Sequence, residues 1–249
     1  MSQDPVIALR GVEKGFGDLQ VLKGIDFEVA KGVSSVIMGG SGSGKSVLIK
    51  HIVGLLKPDK GEVWVQGKRV DQLDGDALDE IRLSIGYLFQ SGALFDSMTV
   101  FENLEFFLER HTDFDASQRE ERIMEHLSMV GLPEKRDHRP AELSGGQKKR
   151  IALARALVLE PDIILYDEPT TGLDPVSVRS VSELIVRLRE DLGVTSVAIT
   201  HDLLCAEIIA EDVHFLYEGS ILANGTLDEV RNQEDPALEE FFGSLEVEE

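Results

Sequence analysis

An early glycine-rich segment has residue types and spacing that suit phosphate binding. It follows an apolar run at residues 33–38 and precedes a segment of helical periodicity at residues 47–56, the strand, loop and helix order that this motif needs. Its glycines let backbone N–H groups point at phosphate oxygens, and the helix N-terminus adds positive potential. The segment fits G-x-x-x-x-G-K-[ST] and consists of Gly39, Gly40, Ser41, Gly42, Ser43, Gly44, Lys45 and Ser46.

The end of this loop predicts a bound nucleoside triphosphate with a divalent cation. We expect Lys45 to reach the β- and γ-phosphates, the Ser46 hydroxyl to ligate Mg²⁺, and Val47 to belong to the same site. A flexible Gly/Ser loop without a ligand is the alternative interpretation. The predicted strand before the loop and the predicted helix after it disfavour that alternative.

Two adjacent carboxylates follow an apolar run in the second half of the chain. Residues 163–166 are IILY, and Asp167 and Glu168 come directly after them. Carboxylates at the end of a buried strand are costly unless something compensates their charge. Beside a phosphate-binding loop, Asp167 is placed to hold the magnesium shell and Glu168 to orient and polarise the attacking water. Without that loop, a solvated turn would be the better interpretation.

A third segment, LSGGQ at residues 143–147, lies just before a predicted helix at residues 148–159. Its serine and glutamine have the spacing of a capping box, so this helix N-terminus can also receive an anion. An ordinary helix cap is the alternative interpretation. The candidate nucleotide contacts in this segment are Ser144, Gly145, Gly146 and Gln147.

The segments between these motifs predict alternating strands and helices. Apolar runs at residues 33–38, 163–166 and 195–199 suit parallel strands that helices cover on both faces. Between the last two runs lies a helical pattern with Asp174 as its candidate N-cap and Gly193 as its end. This is α/β organisation.

The N-terminal part and the middle of the chain have different patterns. Short strands at residues 6–9, 25–29 and 62–65, separated by glycine-containing turns, favour an antiparallel sheet. Residues 99–160 are predicted to be helical, with a capping box that begins at Thr99.

Composition excludes several classes of function. The chain has 249 residues, of which 42% are hydrophobic and 29% charged, as in globular proteins. With 25 Lys and Arg against 46 Asp and Glu, the formal charge of −21 opposes binding to nucleic acid or to anionic membranes. We therefore interpret the basic residues 148–150 as a solvated helix face. Residues 228–249 carry nine acids and one arginine and predict a solvated, frayed tail.

The chain also offers no evident means of entering a membrane by itself. Cys205 is the single cysteine, which excludes an internal disulfide and favours a reducing cytosol. Residues 1–5 lack the basic region and apolar stretch of a signal peptide. The apolar runs are far shorter than the ~18 residues that span a bilayer. We expect no direct membrane insertion, so another chain must hold the protein at any membrane it serves.

Taken in this order, the motifs resemble those of the ATP-binding subunit of ABC (ATP-binding cassette) transporters, over nearly the whole chain. The resemblance implies hydrolysis of ATP to ADP and phosphate, with Mg²⁺ at the site. It also implies that residues 1–249 form a single α/β domain. A P-loop (RecA-like) core with a parallel sheet and an N-terminal antiparallel β subdomain would span residues 1–90 and 161–249, with an inserted α-helical subdomain at residues 91–160.

The same resemblance implies roles for residues outside the three motifs. Phe16 matches the aromatic residue that stacks on adenine. Gln90 matches the glutamine that contacts the metal and the attacking water, and His201 matches the histidine that contacts the γ-phosphate. Residues 170–174 resemble the D-loop, of which we count Asp174 among the nucleotide contacts.

The resemblance further implies two partners. In the family, two such domains face head to tail, and each ATP lies between the phosphate loop of one copy and the LSGGQ segment of the other. Hydrolysis removes the γ-phosphate contacts and lets the pair open, which moves the membrane subunits. The partners would be a second copy of this chain and an integral membrane permease. The chain would then be peripheral on the cytoplasmic face of the inner membrane.

Residues 89–103, FQSGALFDSMTVFEN, resemble more narrowly the ATPases of MCE-associated lipid transporters, the Mla or toluene-tolerance class. This resemblance implies transport of phospholipid or a related lipid, with an MCE-domain lipid-binding protein as a further partner. A generic helix entry is the alternative. The segment is also unusually apolar for a loop, and an exposed part of it would suit an interface with the permease.

Two other functions stay open. The chain could serve another ABC importer or exporter, for a small solute or a lipoprotein. A soluble ABC ATPase acting on ribosomes or DNA usually has tandem cassettes or long coiled-coil insertions, whereas this chain has one cassette and no basic surplus. A P-loop kinase or GTPase would not need LSGGQ, and the chain has no Asn-Lys-x-Asp guanine motif.

Overall fold

The computed structural model describes residues 5–246. Residues 1–4, which belong to the N-terminal segment without signal-peptide features, and residues 247–249 of the acidic tail lie outside the described residues. Within the described range, no helix combines the length and the apolar character needed to cross a bilayer.

The strands of the described residues form two sheets. In chain order they are β1 (Ile7–Phe16), β2 (Leu19–Val29), β3 (Ser34–Met38), β4 (Lys60–Val65), β5 (Lys68–Arg69), β6 (Ile85–Leu88), β7 (Ile163–Asp167), β8 (Thr195–Ile199), β9 (Asp212–Tyr217) and β10 (Ser220–Gly225).

The α-helices between them are, in the same order, α1 (Lys45–Ile52), α2 (Gly75–Leu83), α3 (Val100–His111), α4 (Ala116–Met129), α5 (Gly145–Leu157), α6 (Pro175–Leu192), α7 (Leu203–Ile209), α8 (Leu227–Arg231) and α9 (Pro236–Glu246). Short 3₁₀ turns lie at Val70–Gln72, Pro133–Lys135 and Pro140–Glu142.

The N-terminal sheet is antiparallel, as the sequence predicts, with the order β2-β1-β4-β5. Its first two strands are longer than predicted, because backbone pairing continues through polar residues that the apolar pattern did not include. The β1–β2 ladder runs from the Ile7–Val29 pair to the Phe16–Leu19 pair, with irregularities between them. This extension places Phe16 at the end of the ladder.

The second sheet has the order β10-β9-β3-β8-β7-β6. All of its strands are parallel except β10, which pairs antiparallel with β9. Every residue of β3 and β8 is buried, which confirms that these apolar runs are covered on both faces. Parallel order brings the carboxyl ends of β3, β8, β7 and β6 to one edge of the sheet.

Alternate residues of the parallel strands pack into two separate cores. Ile37 and Val197 face a core shared with the antiparallel sheet, α1 and α2. Val36 and Ala198 face a core shared with the helices, and that core continues into α3, α4 and α5. The parallel sheet is therefore the middle layer, and its C-terminal edge is held from both sides.

Capping residues fix where the central helices begin. The side chain of Thr99 accepts a hydrogen bond from the Glu102 N–H, and the Ser144 side chain accepts one from the Gln147 N–H. Both capping boxes are complete, as the sequence predicts. The helix after LSGGQ begins earlier than predicted, at Gly145, because the glycines already have helical geometry.

The acidic C-terminal segment differs from the prediction of a frayed tail. It forms α8 and α9, and Leu238 and Phe242 of α9 are buried. The rings of Phe215 on β9 and Phe241 lie 4.9 Å apart in an edge-to-face arrangement. The prediction was based on the number of acids and did not consider their spacing. The acids occupy the outer face of an amphipathic helix, and the apolar side chains occupy its inner face.

Candidate nucleotide site

Four neighbouring parallel strands deliver the predicted site residues to one edge of the sheet. The glycine-rich loop follows β3, and His201 comes shortly after β8. Asp167 ends β7 with Glu168 next to it, and Gln90 lies two residues after the end of β6. Motifs that are far apart in sequence are therefore adjacent because the strands that precede them are.

The loop after β3 has a backbone path that requires glycine. Gly39 has φ +145°, and a Cβ added there would lie 2.2 Å from the Leu216 carbonyl oxygen. Gly44, directly before α1, has φ +110°, and its Cβ would lie 2.8 Å from the Leu22 side chain. These two positions keep the loop wrapped tightly against β9 and β2.

Lys45 lies inside this loop. Its side-chain amine donates hydrogen bonds to the carbonyls of Gly39, over 2.6 Å, and Gly40, over 2.9 Å. Burial lowers the pKa of Lys45, while the charges of Glu168 and Asp167 act to raise it. The residue can thus exchange backbone acceptors for phosphate oxygens, which are stronger acceptors.

A cavity of about 360 Å³ opens over the loop and collects most of the candidate residues. Its lining consists of Val21, Ser41, Gly42, Gly44, Lys45, Ser46, Val47, Gln90, Asp167, Glu168 and His201. Ser43 lies just behind, with a buried hydroxyl that has no partner within the described residues. An unpaired buried hydroxyl beside an open cavity suits a ligand that supplies the missing acceptor.

Asp167 lies in a low-polarity setting at the end of β7. Its Oδ2 accepts a hydrogen bond from the Tyr87 hydroxyl over 3.2 Å. Burial raises the pKa of Asp167, and the charge of Glu168 adds to the increase, whereas the bond from Tyr87 opposes it. A nearby cation would favour the charged carboxylate.

The residues present fit a magnesium ion that arrives with a nucleotide. Nowhere in residues 5–246 do three His, Cys, Asp or Glu side chains form a metal cage. Mg²⁺ does not need one, because it usually takes one or two protein oxygens and completes its shell with water and phosphate. Ser46, Asp167 and Gln90 line the same cavity and offer such oxygens.

Glu168 has a left-handed backbone conformation, with φ +51°. Its N–H donates to the Ile199 carbonyl over 3.0 Å, which ties the turn after β7 to β8. Its carboxylate accepts a bond from the Thr171 hydroxyl over 3.3 Å, and Oε2 lies 2.9 Å from Nδ1 of His201. A left-handed conformation is unusual for a non-glycine residue. With this backbone conformation, the Glu168 side chain lines the cavity.

Lys149 overturns the interpretation of residues 148–150 as a solvated face. Only 6% of Lys149 is exposed, and its amine donates to the backbone carbonyls of Gln90 and, over 3.0 Å, Glu168. The sequence contained a usable signal, because Lys149 is three and four residues from the buried Ala152 and Leu153 and so shares their helix face.

Some candidate residues lie away from this cavity. Among the described residues, Phe16, Asp174 and the side chains of residues 144–147 do not line it. Phe16 is 47% exposed at the end of the β1–β2 ladder. The Asp174 carboxylate accepts bonds from the N–H groups of Val176 and Ser177, so it caps α6, as predicted.

Residues that sequence reasoning missed support the candidate ones. Asp59 accepts bonds from the Lys14 amine, over 2.8 Å, and from the Gly15 N–H, over 2.7 Å, and so fixes the strand end that carries Phe16. Tyr87 does the same for Asp167. Neither belongs to a motif, and only the folded chain brings them to their partners.

The profile of the ABC transporter family matches residues 22–171, which is more than half of the chain. The chain belongs to the ABC transporter ATP-binding family. This ABC ATPase binds and hydrolyses ATP, and the cassette fold agrees with the predicted α/β class.

Named relatives of this ABC ATPase differ in cargo. The intermembrane phospholipid transport system ATP-binding protein MlaF of Haemophilus influenzae is 37% identical, over 91% of this chain and 86% of its own length. The methionine import ATP-binding protein MetN of Wolinella succinogenes is 40% identical, over 91% of this chain and 75% of its own. Similarity to these proteins establishes the ATPase but not the transported substrate.

A solved structure gives the same fold. The dimeric, post-hydrolysis state of the ATP-binding cassette MJ0796 bound to ADP and Pi has a TM-score of 0.81 and 35% identity. The match covers 89% of this chain and 98% of that one.

Proposed function

We propose that this ABC ATPase powers the transport of phospholipid or a related lipid through a membrane permease. The observation that carries the proposal is the segment at residues 89–103, which resembles the Mla class, together with 37% identity to MlaF of Haemophilus influenzae. A small-solute importer is the second candidate, since MetN of Wolinella succinogenes is 40% identical.

The geometry supports separate roles for the residues around the triphosphate, some binding phosphate and others binding magnesium. Lys45 and the N–H groups of the loop would bind the β- and γ-phosphates, with the N-terminus of α1 adding positive potential. Ser46 and Asp167 would hold Mg²⁺, joined by Gln90. The bound ion would neutralise charge on the phosphates, and the protein residues around it would position the ion and the γ-phosphate.

Glu168 is the candidate general base. Its carboxylate lies in the cavity, 13% exposed, and Thr171 and His201 limit its orientation. A carboxylate held in this way can accept a proton from water that attacks the γ-phosphate. His201 and Gln90, which line the same cavity, would then contact the γ-phosphate and the water.

A second copy of the chain would complete the site. The LSGGQ segment begins α5 outside the cavity, where its helix N-terminus is available to an anion on another molecule. Gly145 lies against Leu173, so this segment and the D-loop occupy the same surface. The MJ0796 cassette, a structural neighbour, is dimeric. Phe16 would stack on the adenine of the bound ATP.

The permease would bind next to the loop that carries Gln90. An apolar groove of about 590 Å³ lies beside β6, and its lining includes Tyr87, Phe89 and Phe107. Phe89, which lines this groove, is 44% exposed. Phe95 lies outside the lining but on the same apolar segment and is 40% exposed, so we include it, with Met98, in the proposed permease surface. A short apolar helix of the permease would fit this groove and hold the ATPase at the cytoplasmic membrane face. An MCE-domain lipid-binding protein would complete the assembly.

The test is to purify the chain together with its permease and every co-purifying subunit, and to analyse the bound lipids. The complex is then reconstituted into liposomes with labelled phospholipid or labelled methionine. ATP-dependent movement of phospholipid, with an MCE-domain subunit present, is the expected result. Movement of methionine alone, or a complex without lipid and without an MCE-domain protein, would overturn the lipid assignment and leave the ATPase assignment intact.

A further inference from the structure

One buried cation bridges two segments of the nucleotide site. The amine of Lys149, on α5, donates to the carbonyl of Gln90 and to the carbonyl of Glu168. These carbonyls belong to the two residues whose side chains we assign to the attacking water. Beyond the pairing of β6 with β7, this one side chain therefore ties the loop after β6 to the turn after β7.

Burying the ammonium group of Lys149 in this arrangement costs free energy. Lys149 is 6% exposed, and burial lowers its pKa, while the charges of Glu168 and Asp167 act to raise it. Within residues 5–246 neither of these carboxylates, nor any other, lies at ion-pair distance from its amine. Its two carbonyl acceptors carry only partial charge, so they compensate the lost hydration of an ammonium less fully than a carboxylate would. An apolar side chain would cost less to bury at this position if packing were its only purpose.

Arg155 makes a second attachment from the same helix. It is also buried, at 8% exposed, and donates to the carbonyls of Gly92, over 2.8 Å, and Ala93, over 2.7 Å. Helix α5 thus holds both ends of the loop at residues 90–93. Because α5 begins at the LSGGQ segment, a displacement of this helix must move the backbone of Gln90.

We propose that Lys149 is a positioning residue for ATP hydrolysis, which sets Glu168 and Gln90 in register with each other and couples both to the LSGGQ helix. The inference rests on the roles proposed for Glu168 and Gln90. Glu168 depends on it most, because its left-handed backbone has little support from its own conformational preference. Removing the bridge leaves the phosphate loop in place but lets the carboxylate rotate away from the water.

The experiment compares Lys149→Met and Lys149→Arg with the unaltered chain, each in complex with the permease. Lys149→Met keeps the length and removes the donors, and we expect kcat to fall about tenfold while KM and the Kd for ATP change by less than about twofold. Lys149→Arg can still donate to both carbonyls and should recover part of the lost kcat. Lys148→Met removes a neighbouring charge whose side chain makes no hydrogen bond or ion pair within residues 5–246, and should leave kcat unchanged.

Several results would overturn the inference. The first is an unchanged kcat in Lys149→Met, and the second is a loss in that variant that affects only its affinity for ATP. The third is a Lys149→Arg variant that folds but has a kcat no higher than that of Lys149→Met. Should Lys149→Met fail to fold, Lys149→Gln carries the test, because its shorter amide cannot reach both carbonyls and should lower kcat without raising KM. Glu168→Gln distinguishes a failure of this inference from a failure of the proposed function. If that variant retains turnover, Glu168 is not the general base, whatever the Lys149 variants show.

Discussion

Nδ1 of His201 lies 2.9 Å from Oε2 of Glu168, although the two residues follow different strands. The pairing of β7 with β8, which includes the Asp167–Ile199 pair, brings them together. Glu168 is only 13% exposed and His201 is 56% exposed at its side chain, so the imidazole lies on the open side of the carboxylate. A γ-phosphate in the cavity would therefore meet both groups at once.

His201→Ala tests that relationship. We expect ATP binding to be retained, because Lys45 and the loop N–H groups stay in place, and turnover to fall about a hundredfold, as for loss of one positioned polar group. Steady-state ATPase rates and ATP titrations measure the two effects. His138→Ala, a histidine outside the cavity, is the control. If His201→Ala hydrolyses ATP at the same rate as His138→Ala, His201 does not take part in the site.

Gly39→Ala tests whether the backbone path of the phosphate loop determines binding. The new Cβ would lie 2.2 Å from the Leu216 carbonyl oxygen, so the loop must shift or β9 must move. ATP affinity should fall by more than about tenfold. Gly40→Ala is the matched control, since a Cβ there meets nothing within 4 Å. Equal affinities in the two variants would contradict the phosphate-loop assignment.

Phe16→Ala tests adenine stacking. The ring is 47% exposed, so its removal creates little cavity in the core. ATP affinity should fall by about 1 kcal/mol, the scale of an aromatic contact, and Phe16→Tyr should restore it. ATP titration of both variants is the measurement. Unchanged affinity in Phe16→Ala would show that the residue does not contact the base.

Phe95→Ala and Met98→Glu test the proposed permease surface. We expect ATP binding by the isolated chain to be unchanged and assembly with the permease to weaken by about 1–2 kcal/mol, as for loss of an interface anchor. Pull-down with the permease and the transport rate per ATP are the measurements. Leu222→Ala removes a similarly exposed side chain, 39% against 40% for Phe95, from the opposite edge of the parallel sheet. Normal assembly of both test variants would place the permease elsewhere.

Features carried by local pattern were predictable from the sequence. Apolar runs predicted β3 and β8, and the capping boxes at Thr99 and Ser144 lie where the spacing put them. The glycine-rich loop was predictable because its function requires particular residue types in a fixed order.

Features that depend on contacts between distant segments were not predictable. Helix spacing places Lys149 on the buried face of α5, but its two acceptors, the carbonyls of Gln90 and Glu168, come from distant segments that no local pattern identifies. Tyr87 belongs to no motif, yet it donates to Asp167 across 80 positions of sequence. The acidic tail folds as α9 because a few apolar side chains, Leu238 and Phe242 among them, outweigh an unfavourable charge count.

The most direct test of the proposed role of Glu168 is the rate of ATP hydrolysis by Glu168→Gln, measured alongside its ATP affinity and its oligomeric state. The amide keeps the shape of the side chain and cannot accept the proton of the attacking water. Turnover should fall by at least about a hundredfold while ATP binding persists, and ATP should now trap a dimer of two copies. Near-normal turnover in this variant, with its partner subunits present, would contradict the assignment of Glu168 as the general base.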